Sequence, residues 1–299
     1  MKSEGHLIFH KIIIYSLTGI TALGIAWFAF ISLPSGRLQR AEKAIQTGEY
    51  NQALELVYPL RKMDEYNSQT RGIFIESHYQ LGKELYYQEE PEDALEKFLK
   101  IPEDSERYID TLKYLVPVYA DLQDWRQVLL ILEKHSELFD FSNENILFLL
   151  GKANFVRYRE EQAQEIFESI LAQNPYHQEA LKYLALIYGR AGYNDLALSL
   201  VNRALQVSPE SRDWLMFQGA LLAQKHESSN ALRAFDEFLE NDPSNSLGQL
   251  FWLMVAQYDE NADQEKVQKY LTNIIEADLR MDISFFLREY LPHEHEDTN

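Results

Sequence analysis

The 299-residue sequence contains no cysteine. This absence excludes disulfide bonds, zinc sites with cysteine ligands, thiol catalysis and lipid attachment at a lipobox cysteine. A chain without thiols is also compatible with an oxidising compartment. Hydrophobic residues make up 46% of the chain, which is ample for a core.

Positive charge is scarce. The chain has 28 lysines and arginines against 47 aspartates and glutamates, which gives a net charge of −19 at pH 7. Phosphate binding needs clustered lysine and arginine, and no such cluster occurs in the sequence. The composition therefore argues against nucleic acid as a partner.

Catalytic and nucleotide-binding motifs are absent as well. The sequence has no G-x-G-x-x-G, Walker loop, H-E-x-x-H or G-x-S-x-G. We therefore predict that the protein is not an enzyme and that it has no cofactor and no small-molecule substrate. His293 and His295 lie among acidic residues in the tail, where a solvated charged segment is favoured over a metal site.

One long apolar run stands near the amino terminus. Residues 12–33 carry no charge and would span about 33 Å as a helix, against about 30 Å for a membrane hydrocarbon core. The apolar part of a cleaved signal peptide is shorter, so an uncleaved anchor is the preferred interpretation. Residues 1–11 are then a short tail, and the sequence Pro34-Ser35-Gly36 is predicted to break the helix at the membrane edge.

The charges flanking this run do not set its orientation. Lys2 and Lys11 precede it, and Arg37, Arg40 and Lys43 follow it. Long downstream domains are exported largely regardless of such charges. We expect a single-pass protein of the inner (plasma) membrane with its body outside the cytoplasm, and the reverse orientation is the alternative.

The body of the chain repeats itself at a step of 34 residues. Five columns keep that step: Leu147, Leu181 and Leu215; Gly151, Ala185 and Gly219; Ala163, Ala197 and Ala231; Phe167, Val201 and Phe235; Pro175, Pro209 and Pro243. Within one unit, apolar residues at i, i+3, i+4 and i+7 predict a first helix. A turn at residues 189–192 and a second helix ended by Pro209 follow, so each unit is predicted to be a helical hairpin.

This pattern resembles the tetratricopeptide repeat, with its small residue, aromatic residue, alanine and terminal proline at the family's own spacing. The resemblance covers about residues 37–280 and is strongest over residues 144–245. It implies an all-α fold in which the membrane helix is followed by a right-handed α-solenoid of about seven hairpins. The solenoid would span residues 37–291, ending in a capping helix around Phe285 and Phe286, and residues 292–299 would form a polar tail.

In this family the first helices line the concave surface of the solenoid. Aromatic and basic residues recur on them and are predicted to form a groove for a protein or peptide partner: Tyr79, Lys83, Tyr86, Tyr87, Lys113, Phe148, Lys152, Phe155, Lys182 and Arg190. Aromatic faces supply contact area, and lysines add pairing with carboxylates. The alternative is that the rings only pack between repeats and the lysines form a solvated face.

The layout predicts a scaffold that is anchored in the membrane by residues 12–33 and assists assembly or maintenance of a cell-envelope complex as a chaperone or adaptor. It resembles the layout of translocon-associated periplasmic repeat proteins and of anchored repeat modules that hold apocytochromes. Two alternatives stay open. One is a regulatory adaptor of a membrane-associated enzyme that faces the cytoplasm, and the other is a structural subunit of a pilus or flagellar assembly.

Overall fold

The computed structural model describes residues 34–62 and 67–276, and this part of the chain consists of helices joined by short turns. Its α-helices are α1 (Pro34–Thr47), α2 (Tyr50–Val57), α3 (Ser68–Tyr87), α4 (Pro91–Phe98), α5 (Arg107–Asp121), α6 (Trp125–Lys134), α7 (Glu144–Val156), α8 (Glu160–Gln173), α9 (Gln178–Arg190), α10 (Asn194–Val207), α11 (Arg212–Gln224), α12 (Ser228–Asn241), α13 (Ser246–Ala256) and α14 (Gln264–Glu276). Two short 3-10 helices are Pro59–Lys62 and Ser136–Leu138.

Each odd-numbered helix packs against the even-numbered helix that follows it, so the described residues contain seven helical hairpins. The predicted all-α hairpin architecture is thereby confirmed. The chain divides into two compact units between Phe139 and Asp140. The N-terminal unit holds α1–α6 and the C-terminal unit holds α7–α14. The single continuous solenoid and its right-handed course stay predictions.

Both predicted ends of the chain lie outside the described residues. This applies to the anchor at residues 12–33, to the capping helix with Phe285 and Phe286, and to the tail with His293 and His295. Between residues 34 and 276, in the part that the structure describes, no helix is both long enough and apolar enough to span a bilayer.

Two predicted boundaries can be compared with the helix ends. Pro34, Ser35 and Gly36 form the first turn of α1, and the helix that they were predicted to break lies outside the described residues. Proline is accepted at the first position of a helix because the N–H that it lacks has no helical partner there. The predicted turn at residues 189–192 is shorter than expected, since α9 continues through Arg190.

In most of the described hairpins, the turn between the two helices contains a residue with positive φ. Six of these turns carry one, at Gly48, Glu89, Gln123, Tyr158, Gly192 and His226. The residue that follows bonds back five positions, as in the 2.8 Å bond from the Tyr193 N–H to the Tyr188 carbonyl oxygen. This arrangement ends the first helix and satisfies its last carbonyls. The second helix can then begin at once and run antiparallel to the first.

Complementary side-chain size sets how closely the two helices of a hairpin approach. Gly82, Gly151 and Gly219 on first helices face the phenylalanine ring of the second helix in their own hairpin. A Cβ added at these glycines would lie only 2.7, 2.8 and 2.5 Å from the nearest ring carbon of Phe98, Phe167 and Phe235. The hairpin α9–α10 instead has Ala185 and Val201 at the equivalent positions, both fully buried. In these four hairpins a large residue on one helix is therefore matched by a small one on the other.

Replacement of Gly219 by Ala is expected to destabilise the protein by about 1–3 kcal/mol, because the new Cβ overlaps the buried Phe235 ring. Gly72→Ala is the matched control. A Cβ at Gly72 meets nothing within 4 Å, so this helical substitution should stabilise the protein by up to about 1 kcal/mol. The double variant Gly219→Ala/Phe235→Val copies the Ala185–Val201 pair and should be more stable than the two single changes add up to. Simple additivity in urea unfolding would contradict this packing rule.

Leu184 lies in the core of the C-terminal unit and is only 3% exposed. Leu184→Ala should lower the free energy of unfolding by about 2–5 kcal/mol, because it leaves a cavity among packed side chains. Leu196 is 50% exposed in the same unit, and Leu196→Ala should change the free energy by less than about 0.5 kcal/mol. Equal effects of the two changes in urea unfolding would show that the register of α9 is wrong.

Candidate functional site

A cluster of tyrosines joins the first helices α3 and α5 of the N-terminal unit. This N-terminal cluster consists of Tyr79, Lys83, Tyr86, Tyr87 and Tyr114. The Tyr114 ring is central, with centroid distances of 6.0 Å to Tyr79, 5.8 Å to Tyr86 and 6.4 Å to Tyr87. All three pairs meet edge to face, the geometry that aromatic quadrupoles favour.

Two cations lie over these rings. The Lys83 Nζ is 5.2 Å from the Tyr79 centroid and 5.8 Å from the Tyr114 centroid, and the Arg107 guanidinium is 5.0 Å from Tyr79. These are cation–π distances. The Arg107 Nε donates a 2.8 Å hydrogen bond to the Glu76 carboxylate, so its charge is already paired. Arg107 thus fixes the edge of the cluster.

A second cluster lies on α7 and α9 of the C-terminal unit. This C-terminal cluster consists of Phe148, Lys152, Phe155, Tyr183 and Arg190. The Tyr183 ring is 6.0 Å from Phe148 and 5.1 Å from Phe155. The Lys152 Nζ is 5.9 Å from the Phe148 centroid and 5.7 Å from the Tyr183 centroid. Lysine again lies between two aromatic faces of neighbouring first helices.

Arg190 closes the far end of the C-terminal cluster. Its guanidinium is 4.7 Å from the Phe155 centroid, and its Nη1 is 3.3 Å from a Glu160 carboxylate oxygen. It therefore resembles Arg107 in pairing with a carboxylate while covering a ring. This places Arg190 as a positioning group for the cluster.

Two other predicted site residues lie beside the clusters rather than over their rings. The Lys113 Nζ is 3.7 Å from the Asp110 carboxylate, so Lys113 is paired. Lys182 lines a pocket of about 220 Å³ between α9 and α11, together with Glu179, Asp213 and Trp214. Burial lowers the pKa of Lys152, and the charge of Lys182 adds to this effect, so Lys182 lies at the edge of the C-terminal cluster.

Exposure divides the clusters into a packed part and an accessible part. Tyr79 is 7% exposed and Phe155 is 8% exposed, so both rings belong mainly to the core. Tyr87 is 69% exposed, and Lys83 and Lys152 are half-buried. A partner can therefore reach the lysines and Tyr87, whereas the buried rings support them from below.

The repeats of this chain match a known family. Residues 184–246 fit the family model of the tetratricopeptide repeat. This match identifies tetratricopeptide repeats in that part of the chain. Proteins built from these repeats are in general scaffolds for protein interaction rather than catalysts. No curated protein matches the sequence of this chain.

Solved structures with a similar fold include several of MamA. A MamA structure from Desulfovibrio magneticus RS-1 has a TM-score of 0.50 at 13% identity, covering 57% of this chain and 95% of that one. A double mutant of RS-1 MamA has a TM-score of 0.51 at 13% identity, covering 57% and 94%. Another MamA mutant has a TM-score of 0.50 at 18% identity, covering 60% and 97%. Such identities show a shared repeat fold and nothing more.

Sequence reasoning missed the centre of each cluster. Tyr114 and Tyr183 directly follow Lys113 and Lys182, which were selected for their charge. In the structure each tyrosine stacks on the phenylalanine of the preceding hairpin. The Phe98–Tyr114 centroids are 5.7 Å apart and the Phe167–Tyr183 centroids are 5.5 Å apart. The contact joins neighbouring repeats, so a pattern within one repeat does not reveal it.

The clusters shift the protonation of their own residues. A hydrogen bond with Tyr87, followed by burial, raises the pKa of Tyr114. Burial also raises the pKa of Tyr79 and of Tyr86. In the C-terminal cluster, burial lowers the pKa of the Lys152 amine. The folded state therefore favours neutral tyrosine hydroxyls and disfavours the charge on Lys152.

Tyr114 gives a test of this shift. In the unfolded chain a tyrosine loses its proton near pH 10, whereas folded Tyr114 keeps it to higher pH. The unfolded state then binds fewer protons, so the stability contributed by Tyr114 is present below about pH 10 and falls as the pH rises. Tyr114→Phe keeps the ring and should make this fall shallower by up to about 1.4 kcal/mol per pH unit.

The measurement is urea unfolding of the wild type and of Tyr114→Phe at a series of pH values from about 8 to 11, spanning the ordinary tyrosine pKa. Far-ultraviolet circular dichroism at the lowest pH serves as the control for intact helices. Identical slopes above pH 10 would mean that Tyr114 titrates alike in the folded and unfolded chains.

Proposed function

We propose that this tetratricopeptide-repeat protein is a membrane-anchored scaffold that holds a protein or peptide partner on the first helices of its repeats. The observation that supports this proposal is the pair of clusters, in which a half-buried lysine lies over aromatic faces beside accessible surface. Aromatic faces provide desolvated contact area, and each lysine can pair with a carboxylate of the partner.

Charge supports the same choice of surface. A chain with a net charge of −19 repels acidic partners over most of its surface. Lys83 is different, since its one hydrogen bond within the described ranges is a 3.5 Å contact with the Gln80 side-chain oxygen. Its positive charge is therefore available to an incoming carboxylate. Lys83 attracts a carboxylate at the N-terminal cluster, whereas the rest of the acidic surface repels it. This difference favours docking at the cluster over non-specific contact.

The membrane part of the proposal rests on the sequence. The uncharged run at residues 12–33 has the length of a bilayer span. Anchoring would confine the scaffold to the membrane surface and raise its effective concentration beside other membrane proteins. We place the repeats outside the cytoplasm, where they would assist assembly or maintenance of an envelope complex as a chaperone or adaptor.

Photo-crosslinking in bacterial cells tests the proposal. A photoreactive amino acid in place of Tyr87, which is 69% exposed, should give a discrete adduct in the membrane fraction. The matched control is Tyr258, which is 77% exposed but lies outside both clusters, and it should give no such adduct. Removal of residues 1–33 should release the chain from membranes and weaken the Tyr87 adduct.

These measurements test the binding surface, the membrane anchor and the orientation separately. Equal labelling from Tyr87 and Tyr258 would move the binding surface away from the N-terminal cluster. Retention in membranes without residues 1–33 would contradict the anchor. A reporter active only outside the cytoplasm, fused after Asn299, should be active if the repeats are exported. Activity of a cytoplasm-only reporter at the same point would reverse the orientation.

A further inference from the structure

The two clusters are copies of one arrangement at a distance of 69 residues along the chain. The residues of the N-terminal cluster and its packing base map onto the C-terminal cluster as follows: Tyr79 onto Phe148, Gly82 onto Gly151, Lys83 onto Lys152, Tyr86 onto Phe155, Phe98 onto Phe167 and Tyr114 onto Tyr183. The copies are offset by two repeats, and each copy lies entirely within one compact unit. The repeated feature is thus larger than a single hairpin.

The packing that supports the two clusters has the same geometry in both copies. In each copy a methyl group added to the glycine of the first helix would lie less than 3 Å from the phenylalanine ring of the second helix. The phenylalanine then stacks on the tyrosine of the next first helix, with interplanar angles of 21° for Tyr114 and 13° for Tyr183. The two tyrosines are therefore held in the same way.

The lysines are placed equivalently as well. Lys83 lies 5.2 and 5.8 Å from its two rings, and Lys152 lies 5.9 and 5.7 Å from its own pair. Each lysine bridges a ring on its own helix and the tyrosine of the next first helix. Both ammonium groups therefore stand over a comparable aromatic support.

The C-terminal unit contains a third pair of rings stacked between repeats, but non-aromatic, uncharged residues stand at the positions that hold the lysine and its flanking rings in the two clusters. Phe235 and Phe251 stack at 6.1 Å, and Gly219 again admits the Phe235 ring. Met216, Ala220 and Ala223, however, occupy the positions of Phe148, Lys152 and Phe155. Stacking between repeats therefore does not require a lysine. The lysine and its flanking rings in the other two copies are additional to what packing needs.

We infer that the chain carries two separate sites of one type, one in each compact unit, and that each takes a carboxylate-bearing peptide segment with an aromatic neighbour. The inference rests on the proposed function, since it assumes that the clusters bind. Lys83 and Lys152 pair with the carboxylate at their respective sites, and the surrounding rings contact the neighbouring aromatic group.

The copies differ in a way that gives them different selectivity. The N-terminal site has the hydroxyls of Tyr79 and Tyr86 where the C-terminal site has the plain rings of Phe148 and Phe155. Tyr79 and Phe155 are packed in the core, so the difference acts through the two half-buried residues. The Tyr86 hydroxyl can bond a polar group of the bound segment, whereas the plain ring of Phe148 favours an apolar neighbour. Burial lowers the pKa of Lys152, and a bound carboxylate would offset that effect by stabilising the ammonium form.

Calorimetry with the full chain in detergent tests the stoichiometry. The probe is a blocked pentapeptide of alternating aspartate and phenylalanine, and its control replaces each aspartate by asparagine. We expect two peptides per chain and at least about tenfold weaker binding of the asparagine peptide, since asparagine keeps the shape of aspartate but loses the charge-assisted hydrogen bond to lysine. One peptide per chain, or equal affinity for the two peptides, would overturn the inference.

Single lysine variants then separate this inference from the proposed function. Lys83→Gln and Lys152→Gln should each reduce the stoichiometry from two to one, and the double variant should abolish binding. Lys134→Gln on α6 and Lys269→Gln on α14 are matched controls, because both lysines are exposed and lie outside the clusters. Circular dichroism checks that every variant keeps its helices.

The remaining outcomes are decisive. If either lysine change alone abolishes all binding, the chain has one site, which overturns the inference and leaves the proposed function standing. If neither change, nor the double change, alters binding, the clusters serve packing only, and both proposals fall.

Discussion

The closest hairpins of the structure depend on complementary size between their two helices. Where the first helix has glycine, as at Gly151 and Gly219, a phenylalanine ring of the second helix fills the space. Where it has Ala185, the partner is the smaller Val201. In these hairpins a larger side chain on one helix is offset by a smaller one on the other, so the two helices can pack closely although the residues change.

This constraint also creates the candidate site. A phenylalanine that enters the space above a glycine presents its other face to the next repeat, where Tyr114 or Tyr183 stacks on it. The tyrosine is then held where it meets the rings of the preceding first helix. The same contact that spaces the helices therefore builds the aromatic support on which Lys83 and Lys152 lie.

Ion pairs also connect successive repeats. Many carboxylates are paired with a basic group about one repeat away, including Arg190 with Glu160, Arg212 with Asp242 and Lys266 with Asp236. Such surface pairs contribute little stability individually. They do, however, reduce repulsion within a chain of net charge −19. Lys83 contrasts with these residues because it is positioned by rings rather than by a carboxylate in the described part of the chain.

The amino-acid sequence by itself determined the hairpins. Apolar spacing, small residues and terminal prolines all act within about 34 residues, and the helices α7–α12 begin and end close to where this spacing places them. The ends of the helices were harder to predict where one residue type can occur at either end of a helix. Proline starts a helix as readily as it ends one, and Pro34 does the former.

Only the tertiary structure decided how the candidate residues combine. It joined Lys83 to Tyr114 and Lys152 to Tyr183, and it placed Lys113 beside Asp110 instead. Neighbouring positions on one helix point in different directions, and their partners come from another repeat. The spacing within a repeat therefore predicts which residues lie on a first helix, whereas the packing of successive repeats decides which side chains meet.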